Sequence, residues 1–326
     1  MDISVIVPLF NEAESLPELA AWIARVMEQN NFSYEVIMVD DGSNDGSWDC
    51  IRSLSAGNPA IHGIQFRRNY GKSAALYCGF DKAQGDVVFT MDADLQDSPD
   101  EIPEMYRMIK EDGFDLVSGW KQHRKDNKLT KNLPSKLYNA TARKITGIKL
   151  HDMNCGLKAY RNEVIKSIEV YGEMHRYIPY LAKNAGYTKI GEKPVHHEKR
   201  KYGKSKFGMN RFVNGFLDLQ SLWFLSTFGK KPMHFFGYSG LAMFFIGFVM
   251  TIWIIAQKLI LQARDLNLRL SGQPGIQFRA VTDQPLFYLA LVALILGVML
   301  FLAGFLGEMI ARSSSERNSY NIKSEF

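Results

Sequence analysis

The stretch Val87-Val88-Phe89-Thr90-Met91-Asp92-Ala93-Asp94-Leu95-Gln96, with Pro99 soon after it, decides how this chain folds. Four β-prone residues run into an Asp-x-Asp pair, the pattern of a buried strand that ends at the edge of a sheet. Side chains alternate faces along a strand, so Asp92 and Asp94 are expected to point the same way there. Two carboxylates and the Gln96 amide make a hard oxygen set, suited to Mg²⁺ or Mn²⁺ and to the phosphates such a cation holds. Taken alone, the same letters also describe a strand with an acidic turn, so the neighbouring segments must decide.

Residues 3–8 form a short apolar run that ends in Pro8, and a helical pattern at 15–29 follows with Leu16, Leu19, Ile23 and Val26 on one face. Ser15 and Glu18 fit a capping box. Strand 34–39 opens into Asp40-Asp41-Gly42-Ser43, and strand 61–66 opens into Arg67-Arg68-Asn69-Tyr70-Gly71-Lys72 before a helix of small residues. Strand and helix continue to alternate through 102–112 and 116–119. This spacing predicts an α/β domain, a mainly parallel sheet covered on both faces. Ligands of such sheets bind outside the carboxyl ends of the strands. Residues 8–12, 40–41, 69–72 and 92–96 all fall at those ends, which points to a cleft of nucleotide size. A dinucleotide fingerprint is missing after the first strand, and Gly71-Lys72-Ser73 lacks the earlier glycine of a P-loop, where Phe66 stands.

The 326 residues carry a formal charge of +5, too small to call for nucleic acid, and the three cysteines (Cys50, Cys78 and Cys155) form neither a metal pattern nor a disulfide framework. No cleaved signal peptide is read at the amino terminus. Residues 120–136 are polar and basic, and read as a solvated loop, with a mobile lid near anionic ligands or the membrane surface as the alternative. His151-Asp152-Met153-Asn154-Cys155-Gly156 is a polar turn that feeds a strand-like segment. Asp152 is there either a turn cap or an acceptor-side acid. Residues 195–206 hold a basic run, with His196-His197 discounted as metal ligands.

Composition changes sharply after about residue 208. Residues 209–231 mix apolar and polar letters like a helix lying in a membrane interface. The runs 233–257 and 285–307 lack charge and are long enough to cross a hydrocarbon core of about 30 Å. A polar loop is expected at 258–284 and a tail at 308–326. The balance of Lys and Arg favours both ends of the membrane segment on the cytoplasmic side.

Four segments, in order, carry a resemblance: Val7-Pro8-Leu9-Phe10-Asn11-Glu12, Val39-Asp40-Asp41-Gly42-Ser43, Asp92-Ala93-Asp94-Leu95-Gln96, and Arg200-Lys201-Tyr202-Gly203-Lys204-Ser205-Lys206. Together they resemble the motifs of family 2 glycosyltransferases of the GT-A fold, and more narrowly the polyprenyl-phosphate glycosyltransferases with two C-terminal membrane helices. The resemblance implies inverting transfer of a sugar from a nucleotide sugar, a UDP-sugar being favoured, to polyprenyl phosphate. It places Pro8, Phe10, Glu12 and Asp41 on the nucleoside, with Lys72 and Ala93 beside them on the donor. Asp92 and Asp94 hold the Mg²⁺ or Mn²⁺, assisted by Gln96. Asp152 is the acceptor-side acid, and Arg200, Ser205 and Lys206 hold the acceptor phosphate. The implied setting is an integral protein of a bacterial inner membrane, catalytic domain cytoplasmic, in contact with lipid and forming a homo-oligomer. A processive polysaccharide synthase would need a Gln-x-x-Arg-Trp motif and more spans, and the chain has neither. A membrane-anchored scaffold that binds nucleotide sugar without turnover is the remaining alternative.

Overall fold

The computed structural model describes residues 1–122, 143, 146–198, 201–202, 224, 228, 232–276, 279–313 and 322–325. They divide into two compact units, one within Met1–Trp223 together with the last strand, the other within Phe224–Ser315.

In the first unit, strands β1 (Ile3–Leu9), β2 (Tyr34–Asp40), β3 (Ile61–Phe66) and β4 (Val87–Thr90) alternate with helices α1 (Leu16–Gln29), α2 (Ser47–Gly57) and α3 (Lys72–Lys82). A fourth helix, α4 (Ile102–Lys110), follows β4 and leads to β5 (Leu116–Trp120). After β6 (Lys158–Arg161) come α5 (Asn162–Lys166), α6 (Ile178–Asn184), β7 (Ile190–Pro194) and, at the carboxyl end, β8 (Ile322–Glu325). The sheet order is β7-β5-β6-β4-β1-β2-β3-β8. β6 lies antiparallel to β4 and β5, and β8 antiparallel to β3, while the other pairings are parallel. β1 through β4 are buried almost without interruption because helices cover both faces. One apolar cluster gathers Leu16, Leu19 and Ile23 of α1 with Val5 and Met105, and another gathers Ala75, Phe80 and Tyr160 with Ile6 and Val88. The chain moves outward from β1 to β3 and then returns to place β4 on the other side of β1. That reversal opens a crevice at the carboxyl edges of β1 and β4, the usual ligand position of an open α/β sheet.

Three expectations change. The Ser15–Glu18 capping box does not form: Ser15 Oγ donates to the Glu12 carbonyl at 2.9 Å, and Glu18 instead accepts from Lys201 Nζ (2.7 Å) and Tyr202 Oη (3.1 Å). A carboxylate offered a cation and a phenol gains more there than from one more backbone amide. The expected tail also changes, because β8 adds to the β3 edge and its backbone pairs with groups an edge strand leaves open.

The third change lies in the second unit, which holds α7 (Pro232–Leu270) and α8 (Pro285–Ser313), two helices long and apolar enough to cross a membrane. The polar loop expected at 258–284 begins only after Leu270. Polarity decides whether a segment can sit in hydrocarbon, not whether it is helical, and residues 258–270 are rich in helix-forming Leu, Gln, Ala and Arg. Arg269 pairs with Asp265 one turn earlier at 2.9 Å, and Asp265 Oδ1 accepts the Ile276 amide at 2.8 Å. Gly272, at φ +76°, ends the helix, and the Gln273 amide reaches the Leu268 carbonyl. At 1.5 Å per residue, 39 residues span nearly twice a hydrocarbon core of about 30 Å, so α7 projects well beyond it. The two helices approach closely at glycines: a Cβ on Gly297 would meet Phe244 N at 2.6 Å and Gly240 O at 2.8 Å. Gly297→Val is therefore expected to cost about 1–3 kcal/mol, read as a lower melting temperature in detergent. The expected interfacial segment 209–231 lies outside the described residues except for Phe224 and Phe228, both helical.

Candidate active site at the β1 and β4 edges

The loop after β1 packs on the loop after β2. Asn11, at φ +56°, donates its amide to Ser43 Oγ (2.9 Å) and accepts the Asn44 amide on Oδ1 (3.0 Å), while the Glu12 amide reaches Ser47 Oγ at 3.1 Å. Gly42 must be glycine: its φ is +75°, and a Cβ there would lie 2.6 Å from the Arg68 carbonyl carbon. Asp41 is buried and joins this loop to the next, its two oxygens accepting the amides of Tyr70 (2.6 Å) and Gly71 (2.9 Å). Burial pushes its pKa up, and the two amides, which favour the anion, do not reverse the shift. Asp41 thus holds the loop that leads into α3. Pro8 is buried in β1, whereas Phe10 and Glu12 are half-buried beyond its end.

The acidic pair sits past the end of β4, in a turn with Leu95 at φ +58°, so the alternation of a strand does not set its direction. Asp92 lies against the backbone of Gly156, where any Cβ would run into its carboxylate and come within 2.9 Å of Asp97 Oδ2. Lys72, the first residue of α3, donates to Asp92 Oδ1. Burial disfavours the Asp92 anion, but Lys72, Lys121 and Lys158 hold its pKa well below the usual carboxylate range. Asp94 Oδ1 accepts the Gln96 amide at 3.2 Å. The Gln96 side chain does not reach toward the pair: its Nε2 faces the Glu198 carbonyl, and its own carbonyl accepts the Glu198 amide at 3.0 Å. The backbone of Gln96 thus ties the acidic turn to the segment that leads into the basic run.

Several residues at this edge escape a linear reading. Asp97 is buried, with Lys121 Nζ 2.7 Å from its Oδ1, and forms an antiparallel bridge with His197. Lys158, in β6, is buried and donates to the Cys155 carbonyl; burial lowers its pKa. The Cys155 thiol is pushed up to about 12 by burial and by Asp97. Ser73 Oγ lies 3.0 Å from both the amide and Nδ1 of His175. Burial, with Lys72 and Arg176 adding to it, keeps the His175 pKa well below its ordinary value. Below about pH 6.5 the unfolded chain takes up a proton that folded His175 refuses, so stability is lost as pH falls. His175→Gln is expected to lose less melting temperature between pH 7 and pH 5 than the parent chain.

Glu192 of β7 accepts the amides of His151 (2.7 Å) and Asp152 (3.0 Å), and His151 stacks on Trp120. Asp152 is buried and its Oδ1 accepts the Asn154 amide at 3.1 Å, the turn-cap arrangement. Arg200, Ser205 and Lys206 lie outside the described residues. The basic run is anchored just beside them by Lys201 and Tyr202 on Glu18.

Residues 4–169 match the model of Glycosyl transferase family 2. The chain belongs to that family. Among its relatives, a dodecaprenyl-phosphate galacturonate synthase of Rhizobium johnstonii is 35% identical over 96% of this chain and 88% of that protein. An undecaprenyl-phosphate 4-deoxy-4-formamido-L-arabinose transferase of Aeromonas hydrophila is 35% identical over 95% of this chain and 88% of its own. A glucosyl-3-phosphoglycerate synthase from Mycobacterium tuberculosis, solved with Mn²⁺, UDP-glucose and glycerol 3-phosphate, shares the fold of this family 2 domain. Its TM-score is 0.52 at 18% identity, over 69% of this chain and 79% of that one.

Proposed function

We propose that this family 2 enzyme transfers a sugar from a nucleotide sugar, a UDP-sugar, to the phosphate of a polyprenyl lipid such as undecaprenyl phosphate. The observation that carries the reading is the placement of Asp92 and Asp94 at the β1–β4 crevice of a chain whose full-length relatives bear polyprenyl-phosphate transferase names. The donor set is chemically suited to Mg²⁺ or Mn²⁺: Asp92 stays ionised, Asp94 adds a second carboxylate, and the side-chain-free Gly156 makes room for Asp92. A bound divalent cation supplies neutralisation of charge on the departing nucleoside diphosphate.

In the reaction an acceptor phosphate oxygen bonds to the anomeric carbon from the face opposite the leaving group. The bond from that carbon to the diphosphate oxygen breaks, and the configuration inverts. The phosphate monoester is mostly dianionic at pH 7 because its second pKa is near 6, so the nucleophile arrives deprotonated. Asp152 then has a positioning task, and Arg200, Ser205 and Lys206 bind and orient the dianion. Asp152→Asn is expected to lower turnover at saturating lipid phosphate by less than about 10⁴-fold, the upper range for general acid–base catalysis. A larger loss identifies Asp152 as a base. With α7 and α8 as membrane spans, the catalytic unit lies on the cytoplasmic face, where nucleotide sugars are made. Label transfer from a UDP-sugar should require both a divalent cation and the lipid phosphate, and unphosphorylated undecaprenol should accept nothing. Equal labelling of the two lipids removes the phosphate from the reaction.

A further inference from the structure

Asp92, the acid assigned to the metal, already carries a cation. The Lys72 ammonium donates to its Oδ1. Two other lysines stand near enough to act on the same carboxylate, but each is held elsewhere. Lys121 is 2.7 Å from Asp97 Oδ1 with its side chain 12% exposed, and the 4%-exposed Lys158 is pinned on the Cys155 carbonyl. Lys72 differs from both. Its side chain is 33% exposed, and its four-carbon stem springs from the first turn of α3.

An ammonium hydrogen-bonded to one oxygen of a carboxylate and a divalent cation coordinated by the same carboxylate oppose each other, because their like charges repel at such close range. A nucleoside diphosphate changes the balance because it brings phosphate oxygens that attract both cations. We infer that Lys72 is a built-in counter-cation for Asp92, which gives up the carboxylate to the divalent metal when a nucleoside diphosphate offers the ammonium another anion. The inference rests on the proposed metal role of Asp92. It gives Lys72 two successive partners, Asp92 in the free enzyme and phosphate in the donor complex. It also makes metal and nucleotide bind as a unit: each raises the other's affinity by the same factor, as linkage requires. The free enzyme is thereby spared a tightly held metal that would meet no substrate.

Mn²⁺ binding to the full chain in detergent, followed by the electron paramagnetic resonance of free Mn²⁺ with and without UDP, tests this without any turnover. In the parent chain, UDP is expected to tighten Mn²⁺ about tenfold or more, within the roughly 5–150-fold span of typical couplings. Lys72→Met is expected to bind Mn²⁺ alone about tenfold tighter than the parent, and to gain less from UDP. Lys72→Arg keeps the charge and should behave like the parent, which also controls for folding. The inference is overturned if Lys72→Met and the parent bind Mn²⁺ alone equally and UDP tightens both equally. Failure of all three proteins to bind Mn²⁺ even with UDP overturns it in a different way, by removing the metal reading beneath it.

Discussion

Asp92→Asn is expected to lower sugar transfer by about 10³-fold or more, with donor and lipid phosphate both saturating. The substitution keeps the shape that Gly156 accommodates and removes only the charge. In the parent chain three ammonium groups bear on Asp92 and keep it ionised, so the carboxylate holds its negative charge throughout the neutral range. If that cation neutralises the departing diphosphate, its loss forfeits several kcal/mol of transition-state stabilisation. About 4 kcal/mol corresponds to the stated 10³-fold, at 1.36 kcal/mol per decade. Initial rates of labelled lipid formation read the effect, and a melting curve separates it from misfolding. A loss below about tenfold would place the essential cation site elsewhere.

Glu101→Ala is expected to have the largest effect on stability, about 3–5 kcal/mol, the range for removing one partner of a buried ion pair. Glu101 and Lys193 pair with side chains only 10% exposed each, and Glu101 Oε1 also accepts the His196 amide at 3.0 Å. Removing the carboxylate leaves the largely buried ammonium with Glu104 alone, 2.9 Å away and more than half exposed, so its charge is poorly compensated. The same change frees His196, next to the bridge between Asp97 and His197 that ties the acidic turn to the basic run. Activity should therefore fall together with stability. Glu101→Ala combined with Lys193→Met, which leaves no stranded charge, should recover much of the melting temperature. Urea denaturation of the parent and both variants checks this.

The strands β1 to β4 were legible because each carries apolar residues up to a turn signal or polar residue, Pro8, Asp40, Arg67 and Asp92, and the alternation with helices predicts that they pair in parallel. β8 was not legible. Ile322-Lys323-Ser324-Glu325 has no strand-like period of its own, and the open edge of β3 supplies the reason for its conformation. The end of α7 was misplaced because charge marks where hydrocarbon stops, while Asp265, Arg269 and Gly272 decide where the helix stops.

At the site, Asp92 stood out through its spacing from Asp94. Asp97, Lys121, Lys158, Ser73 and His175 did not, since they are single polar letters from separate segments: the placement of β6 between β4 and β5 brings in Lys158, and a hydrogen bond joins Ser73 of α3 to His175. One signal was present: Lys158 opens a strand whose next residues, Ala159 and Tyr160, are fully buried, and a lysine in such a run usually answers a nearby charge. Asp41 shows the opposite case. The motif marks it for the nucleoside, and what the letters do not reveal is that its two oxygens also accept the amides of Tyr70 and Gly71 and so hold the β3–α3 loop.

The central claim is that the family 2 unit delivers sugar to a lipid phosphate. It is tested most directly by incubating the full chain in detergent with undecaprenyl phosphate, Mn²⁺ and a panel of nucleotide sugars, then weighing the lipid extract by mass spectrometry. The expected result is a new lipid heavier by one sugar residue for at least one donor, formed only when both the metal and the phosphorylated lipid are present. Consumption of a nucleotide sugar without any glycolipid, or binding of every donor without turnover, would contradict it.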